Sequence, residues 1–336
     1  MSRLTIIALV LAAACGGKST PPPTTPLPED KPAEPVAKPE EPAKPVEPPK
    51  AEPIEVAVEP TPVTVKLVSG GKGKKAKLVY AGKTGDKTPV ELAFDFVQKA
   101  NSAQENVEVI SPTIVLLTDA ETKSADATSI DYVMSLNGID ARDVPNAKLK
   151  AQDIKDQIGT LTGLTITSKV GTNGVASGNT EIRIEKGDAA GKQIVDLVKT
   201  ALPQWPALPA EAVGVGAKWT ATSKQSLMGQ LEVTQETSYE LVARKGNTAT
   251  IKGTIKVTGT DVDKGPVKVT EVKGTGTTEA TLTDGALPTF KTVVDTSFKI
   301  TDTTKNESGT VGVKVGTAVT PKAVAAATPA PAPAKP

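Results

Sequence analysis

Alternation of apolar and polar residues dominates the chain between residues 63 and 320. The clearest run is ATIKGTIKV at 249–257, in which apolar or small residues occupy every second position and Thr or Lys the others. Period two places successive side chains on opposite faces of a strand, so the run predicts a half-buried antiparallel strand. Similar runs begin at Val90, Ile182 and Val294, and glycine turns separate them.

Two segments have helical spacing instead. Residues 188–202 (DAAGKQIVDLVKTAL) place five aliphatic side chains on one helical face, with Asp188 as a candidate N-cap. A weaker second helix is predicted to start at Asn146 and to end near Gly163. The fold class is therefore mainly β (α+β): curved antiparallel sheet with about two packing helices.

A weak internal repeat predicts two similar β lobes, the first over 63–186 and the second within 187–320, where the helix near 188–202 comes before the strands of the second lobe. The stretch that begins GKGKKAKLVY and the one that begins VGVGAKWTAT share an order of features. Each runs from glycine through a lysine-flanked strand and a glycine turn to a long alternating strand. Chance similarity between two hairpins of like composition is the alternative.

Proline separates the two ends of the chain from this β region. Residues 21–62 hold 15 of the 28 prolines, and residues 321–336 hold five more. Proline removes amide donors, and few large apolar residues are present to be buried, so residues 15–62 are predicted to be a disordered tether. In polyproline II geometry, residues 21–62 would reach roughly 130 Å. A proline-rich ligand for a partner is the alternative, and residues 321–336 are predicted to be a disordered tail.

Composition narrows the possible chemistry. The chain has no His, which removes the commonest general base and zinc ligand, and its single Cys cannot form an internal disulfide. With 39 Lys plus Arg against 38 Asp plus Glu, the net charge is near zero. A nucleic-acid partner is not expected from such a balance.

Local motifs predict no catalytic, cofactor-binding or metal-binding residue. Residues 69–72 match S-x-x-K and residues 83–85 match K-T-G, but these motifs lie too close together for the penicillin-recognising enzymes that use them. The run GGKGKK fits a basic hairpin tip that could at most touch an anionic surface. Residues 261–265 lack the ligands of a calcium loop and fit a solvated turn.

The N-terminus has the layout of a secretory signal. In MSRLTIIALVLAAAC, Arg3 precedes an apolar run of about 11 residues, too short to span a bilayer. The run ends at Cys15 and resembles the lipobox of bacterial lipoproteins, although Ala12 stands where that motif usually has Leu. The resemblance implies removal of residues 1–14 and acylation of Cys15, and Gly16 implies sorting to the outer membrane. A plain secretory signal with a chance Cys is the alternative.

A second resemblance covers about residues 145–310. Leu208-Pro209 followed by Val215-Gly216-Ala217-Lys218-Trp219 is similar to the "LP…VGxxW" opening of an uncharacterised bacterial family of secreted proteins and lipoproteins. That family brings no activity with it. Trp219 is predicted to be a core anchor at a strand start with its indole N–H bonded, and Trp205 to pin the connection between the lobes. Ligand stacking is the alternative for both.

These features predict a non-catalytic, lipid-anchored protein of the cell outer membrane, whose β domain serves binding or structure. Its expected partners are the outer membrane, through the N-terminal lipid, and an unknown protein or amphiphile. A periplasmic carrier of lipid or lipoprotein with a half-barrel fold is one alternative, because a curved sheet can hold an amphiphile. A carboxylate-based envelope hydrolase is another and would need two acids together in a cleft.

Overall fold

A computed structural model describes residues 52–158, 163–185, 187, 189–200, 202, 204–227 and 231–322. The described part is mainly β, with seventeen strands and two helices, which confirms the predicted fold class. The signal, Cys15, the tether up to residue 51 and residues 323–336 of the predicted tail lie outside the described residues.

Strands make up most of the described chain. The first nine strands are β1 (Ile54–Val58), β2 (Val63–Ser69), β3 (Lys72–Ala76), β4 (Lys87–Ser102), β5 (Asn106–Ile110), β6 (Thr113–Ala125), β7 (Ser129–Arg142), β8 (Thr165–Gly171) and β9 (Thr180–Ile184). The others are β10 (Val213–Val215), β11 (Lys218–Leu227), β12 (Leu231–Lys245), β13 (Thr248–Gly259), β14 (Val262–Lys264), β15 (Val267–Thr283), β16 (Thr289–Asp302) and β17 (Glu307–Pro321). The helices are α1 (Ala151–Ile158) and α2 (Ala189–Thr200).

Fifteen of the strands form one antiparallel sheet. Its order is β1-β9-β8-β7-β6-β4-β17-β16-β15-β13-β12-β11-β2, with β5 paired beside β4 and β14 beside β15. Strands β3 and β10 form a separate two-stranded ribbon. Most neighbours in the large sheet are consecutive in sequence, as short antiparallel connections favour.

The two edges of the large sheet are held near each other. β1 and β2 lie at opposite edges, yet only residues 59–62 separate them in sequence. At 3.3–3.6 Å per residue, the Cα atoms of Val58 and Val63 are no more than about 18 Å apart. The sheet must therefore curl, and it stays open because β1 pairs with β9 and β2 with β11, rather than with each other.

The predicted lobes share this sheet. β2 of the first lobe pairs with β11 of the second, and β17 at the end of the second lobe pairs with β4 of the first. The sequence repeat therefore does not separate two sheets. Backbone hydrogen bonding crosses the lobe division at both places.

The prediction that residues 15–62 form a disordered tether is wrong for Ile54–Val58. These residues pair with Thr180–Ile184 throughout their length. IEVAV alternates with period two, and its neighbouring prolines, Pro53 and Pro60, lie outside the strand, where they remove no ladder hydrogen bond. At the other end Pro321, predicted to start the tail, still pairs with Val90.

The helices were predicted with different accuracy. α2 falls within the predicted residues 188–202, and Asp188 itself lies outside the described residues. α1 begins later than predicted, because Asn146 has a φ of 65° and belongs to the preceding turn. Asp143 accepts the amide hydrogen of Ala151, and Asp153 accepts that of Lys150, so these carboxylates satisfy the first turn instead.

Two apolar clusters lie on the inner face of the curled sheet. The larger cluster joins both edges, since side chains of β1 and β2 pack against it together with α2 and residues 205–208. The smaller cluster contains Leu231, Ile255 and Phe298, nearer the opposite ends of the same strands. In β13, Ile251 belongs to the larger cluster and Ile255 to the smaller. An even spacing keeps both side chains on one face.

Candidate functional site

At the large cluster, the inner face of the sheet is covered by another segment of the same chain. Residues 204–209 (QWPALP), termed the covering segment, connect the region of α2 to β10, and residues 205–209 are all buried. Two carbonyl groups of the segment accept side-chain hydrogen bonds. The Tyr80 hydroxyl donates to Pro206 O at 2.9 Å, and the Trp219 indole N–H donates to Ala207 O at 2.7 Å. A buried segment without regular structure needs such partners for its backbone.

Aromatic rings pack against Trp205 of the covering segment and against Trp219, which binds the segment. Trp205 stacks on Tyr132 with ring centroids 5.6 Å apart and meets the edge of Tyr80 at 4.8 Å. Trp219 stacks on Tyr239 at 5.5 Å and is 1% exposed. The predicted role of Trp219 as a core anchor with a bonded indole is confirmed, and Trp205 is buried at the connection as predicted.

The three tyrosines of this region stay protonated. Burial raises the pKa of Tyr80 well above its usual value, and it also raises the pKa of Tyr132. Burial raises the pKa of Tyr239 to about 12. Because a neutral phenol can donate, Tyr80 satisfies the carbonyl of Pro206, and none of the three is prepared to act as a base near neutral pH.

A pocket of about 220 Å³ lies beside the covered region, between residues 79–82, residues 125–127 and Thr172. Its volume is below the roughly 300 Å³ at which small-molecule sites usually begin. Its lining includes the carboxyl group of Asp126 and the buried phenol of Tyr80. The Asp126 carboxylate accepts hydrogen bonds from the Thr128 hydroxyl and from the amides of Thr128 and Ser129, so it organises the turn between β6 and β7.

Five carboxyl groups in the described residues have clearly shifted pKa values, and all five are lowered. The main cause is a side-chain hydrogen bond to each, from Arg142 to Glu91, Lys123 to Glu121, Thr128 to Asp126, Lys155 to Asp140 and Thr304 to Asp302. A general acid in glycoside cleavage needs a raised pKa. These five groups have the opposite shift.

The motifs singled out in the sequence serve local structure. Ser69 ends β2 and Lys72 begins β3, while residues 83–85 form the turn before β4. In residues 261–265, Asp263 accepts the amide of Gly265, and Asp261 accepts that of Glu271. Within the described ranges, no group of three or more Asp, Glu, His or Cys side chains could hold a metal ion.

The chain has a net charge near zero, but the ribbon of β3 and β10 carries a positively charged surface. Lys72, Lys74, Lys75 and Lys77, termed the basic surface, are all exposed. Residues 60–85 contain six lysines and no acid. No ion pair between described residues includes any of these lysines, although other lysines of the domain are paired. The sequence predicted a basic hairpin tip here, and the structure places its residues in a strand paired with β10.

Exposed aliphatic side chains lie near the basic surface in sequence or in strand pairing, and sequence reasoning missed them. Val68 is 64% exposed, Val79 is 45% exposed and Val215 is 43% exposed, and they are the three most exposed large apolar side chains in the described part. Val215 is the register partner of Lys72, and Val68 adjoins the β2 residue that pairs with Lys218. Outward-facing positions could have been found from the alternation of Lys66 with Leu67 and of Val79 with Tyr80.

Comparison with known proteins adds no family to this geometry. No family model matches the chain, and no curated protein sequence is similar to it. The similarity of residues 208–219 to the "LP…VGxxW" opening therefore stays an expectation. Within the described ranges, neither helix has the length and apolar character needed to cross a membrane.

Proposed function

We propose that this chain is a lipid-anchored protein of the bacterial cell envelope, whose β domain is displayed at the outer membrane for binding or structural purposes. The observation that carries the proposal is the position of Cys15, the single Cys of the chain, directly after the apolar run of a signal. One acyl chain would bind a membrane only marginally, whereas the several chains of a lipobox lipoprotein would anchor stably. The proline-rich residues that follow would set how far from the bilayer the domain can reach, up to roughly 130 Å.

The described domain supports a role without catalysis. Its large apolar cluster includes the covering segment and buried aromatic rings. Its clearly shifted carboxyl groups are held ionised by hydrogen-bond donors rather than raised to the pKa of a general acid. A filled interior of this kind suits a protein that acts through its surface.

Exchange of Cys15 tests the anchor. Cys15→Ala in the native host should abolish association with the outer membrane and leave an uncleaved or soluble form, because no thiol remains to be acylated. Fractionation of the envelope, together with metabolic labelling by palmitate, measures both effects. Ser19→Ala, just beyond the predicted processing site, is the control and should fractionate as the wild type does. Outer-membrane association of the Cys15→Ala chain would sink the proposal.

An amphiphile carrier is the second candidate, because the sheet is curled and its inner face is apolar. It ranks lower since residues 205–209 already occupy that face. Native mass spectrometry of the chain purified from its host's envelope separates the two candidates. A bare protein mass, after allowance for the N-terminal acyl groups, supports display. A reproducible further mass of lipid size would favour the carrier.

A further inference from the structure

We propose that the basic surface on β3 is a docking site for anionic lipid headgroups, which brings one end of the β domain onto a membrane. The inference deepens the proposed function, since an anchored chain always has a lipid surface within reach. Four lysines lie within residues 72–77, three of them on β3 and Lys77 just after it, so extended backbone keeps them within roughly 20 Å. Phosphate groups of anionic lipids are the chemistry that such a cluster attracts.

The charge is segregated rather than generally high. Residues 63–320 contain 31 basic and 29 acidic side chains, and the first 23 of these residues hold six of the lysines and no acid. The rest of the domain therefore has 31 − 6 = 25 basic against 29 acidic side chains, a net of −4. A domain with this asymmetry would be oriented by an anionic surface, with the basic surface toward it.

Nearby acids do not neutralise the lysines. Glu240 belongs to β12, which contacts β10, and it is already 3.6 Å from Lys218, while Glu211 precedes β10 and is exposed. Arg244 adds a cation at the ribbon, because its guanidinium donates to Ala76 O and Val213 O at 3.4 Å. Those two contacts also join β3 to β10 through one side chain.

The exposed valines favour a lipid surface over a soluble polyanion. Val68, Val79 and Val215 offer aliphatic side chains beside the lysines, and a headgroup layer can accept both kinds of group. A polyanion in water would gain nothing from the valines.

The chain's own tether is a poor occupant. Residues 18–51 contain five lysines and six acids, which nearly cancel. Protection of an exposed edge strand from self-association is the other use of lysines on β3. That use explains the charges but not the valines, so the experiment must distinguish it.

The test uses the mature chain, residues 15–336 with Cys15→Ser, so that no acyl group can bind vesicles. Flotation measures its binding to vesicles of equal phosphatidylglycerol and phosphatidylcholine and to vesicles of phosphatidylcholine alone. We expect binding only to the anionic vesicles, and a loss when salt is raised from about 0.1 M to about 1 M, where the Debye length falls from about 10 Å to about 3 Å.

Variants locate the site. Exchange of Lys72, Lys74, Lys75 and Lys77 for Gln should lower the vesicle partition coefficient at least about tenfold. The matched control exchanges four exposed lysines elsewhere that form no ion pair with a described residue, Lys256, Lys268, Lys291 and Lys314, and should retain most of the binding. Val68→Ser with Val79→Ser should weaken vesicle binding severalfold while leaving heparin binding unchanged.

Each other outcome overturns the inference. Equal losses in the two lysine variants would mean general electrostatics, and undiminished vesicle binding by the valine variant would mean a polyanion site. Unchanged vesicle binding with self-association of the β3 variant would assign the lysines to edge protection. Thermal unfolding of every variant checks that the domain is folded. Because the chain is unacylated, failure here leaves the Cys15 anchor untouched, and failure of the anchor leaves this surface untouched.

Discussion

Strands β12, β13, β15 and β16 contribute to both apolar clusters of the inner face, and the clusters are completed differently. The large cluster includes Trp205, Leu208 and the α2 side chains, so chain from outside the sheet covers it. The described members of the small cluster all come from strands. Aromatic stacking and side-chain hydrogen bonds to carbonyls occur at the covered end, whereas the other end packs aliphatic side chains with Phe298.

The difference shows how one long sheet can keep a single inner face with two kinds of packing. Between the two clusters, the inner face carries small side chains. A Cβ on Gly253 would lie 2.6 Å from Thr278 and 3.0 Å from Tyr239. The Thr278 and Thr292 hydroxyls are 2.9 Å apart there. Because close-packed interiors transmit strain, the packing around Gly253 and Thr278 couples the two clusters. Substitutions at each end can therefore test whether they unfold together.

The largest effect is expected at the covered end. Trp219→Ala removes a fully buried ring and leaves Ala207 O without its donor, so it should lower the free energy of unfolding by about 3–5 kcal/mol. Trp219→Phe keeps an aromatic ring and loses the N–H, and should cost about 1–3 kcal/mol. Urea denaturation followed by far-UV circular dichroism measures both. Equal losses for the two variants would contradict the assigned role of the hydrogen bond.

A smaller loss is expected at the other end. Ile255→Ala removes buried methyl groups from the small cluster and should cost about 2–4 kcal/mol. Both tryptophans lie in the large cluster, so their fluorescence reports that end, while circular dichroism reports the whole sheet. If the ends unfold together, both signals should shift equally. An earlier transition by circular dichroism alone would show that the small cluster unfolds separately.

Replacement of Gly174 tests the close approach of its backbone to the covering segment. Gly174 has a φ of 83°, and a Cβ there would lie 2.5 Å from Pro206 O and 2.6 Å from the Tyr80 ring. Gly85 has a φ of 87°, but a Cβ there would meet nothing within 4 Å. Gly174→Ala should therefore cost about 1–3 kcal/mol, and Gly85→Ala only the backbone part of that, about 1 kcal/mol. Similar thermal stabilities for both would contradict the close approach.

Local alternation was enough to predict the fold class and the α2 helix, since period two and period 3.6 are visible in a single segment. The strand at Ile54–Val58 was missed because proline composition was averaged over residues 21–62, although IEVAV itself contains no proline. The pairing of β2 with β11 joins residues about 150 positions apart, and no local pattern encodes such a partner. Trp219 was recognised as an anchor from its place at a strand start.

The candidate docking site was only partly predictable. Four lysines in GGKGKKAK are plain in the sequence, and alternation indicates that Val68 and Val79 face outward, but how far they are exposed depends on which strands lie beside them. The covering segment shows the same limit. Its residues, QWPALP, lack either periodicity, and their burial follows from the curl of the sheet and from the partners Tyr80 and Trp219.

The smallest effect concerns the turn beside the covered end. Hydrogen bonds from the Thr128 hydroxyl, the Thr128 amide and the Ser129 amide lower the pKa of Asp126 to about 2. An unfolded Asp has a pKa near 3.9, so the stabilisation is fully present above about pH 5 and is lost as the pH falls through about 2. Asp126→Asn should therefore destabilise the protein slightly at neutral pH, with a difference that shrinks on acidification. Thr128→Val removes the hydroxyl donor and should give a smaller loss with the same pH dependence. Thermal unfolding from pH 7 down to acid measures it, and a difference independent of pH would show that the carboxylate's charge is not what stabilises the turn.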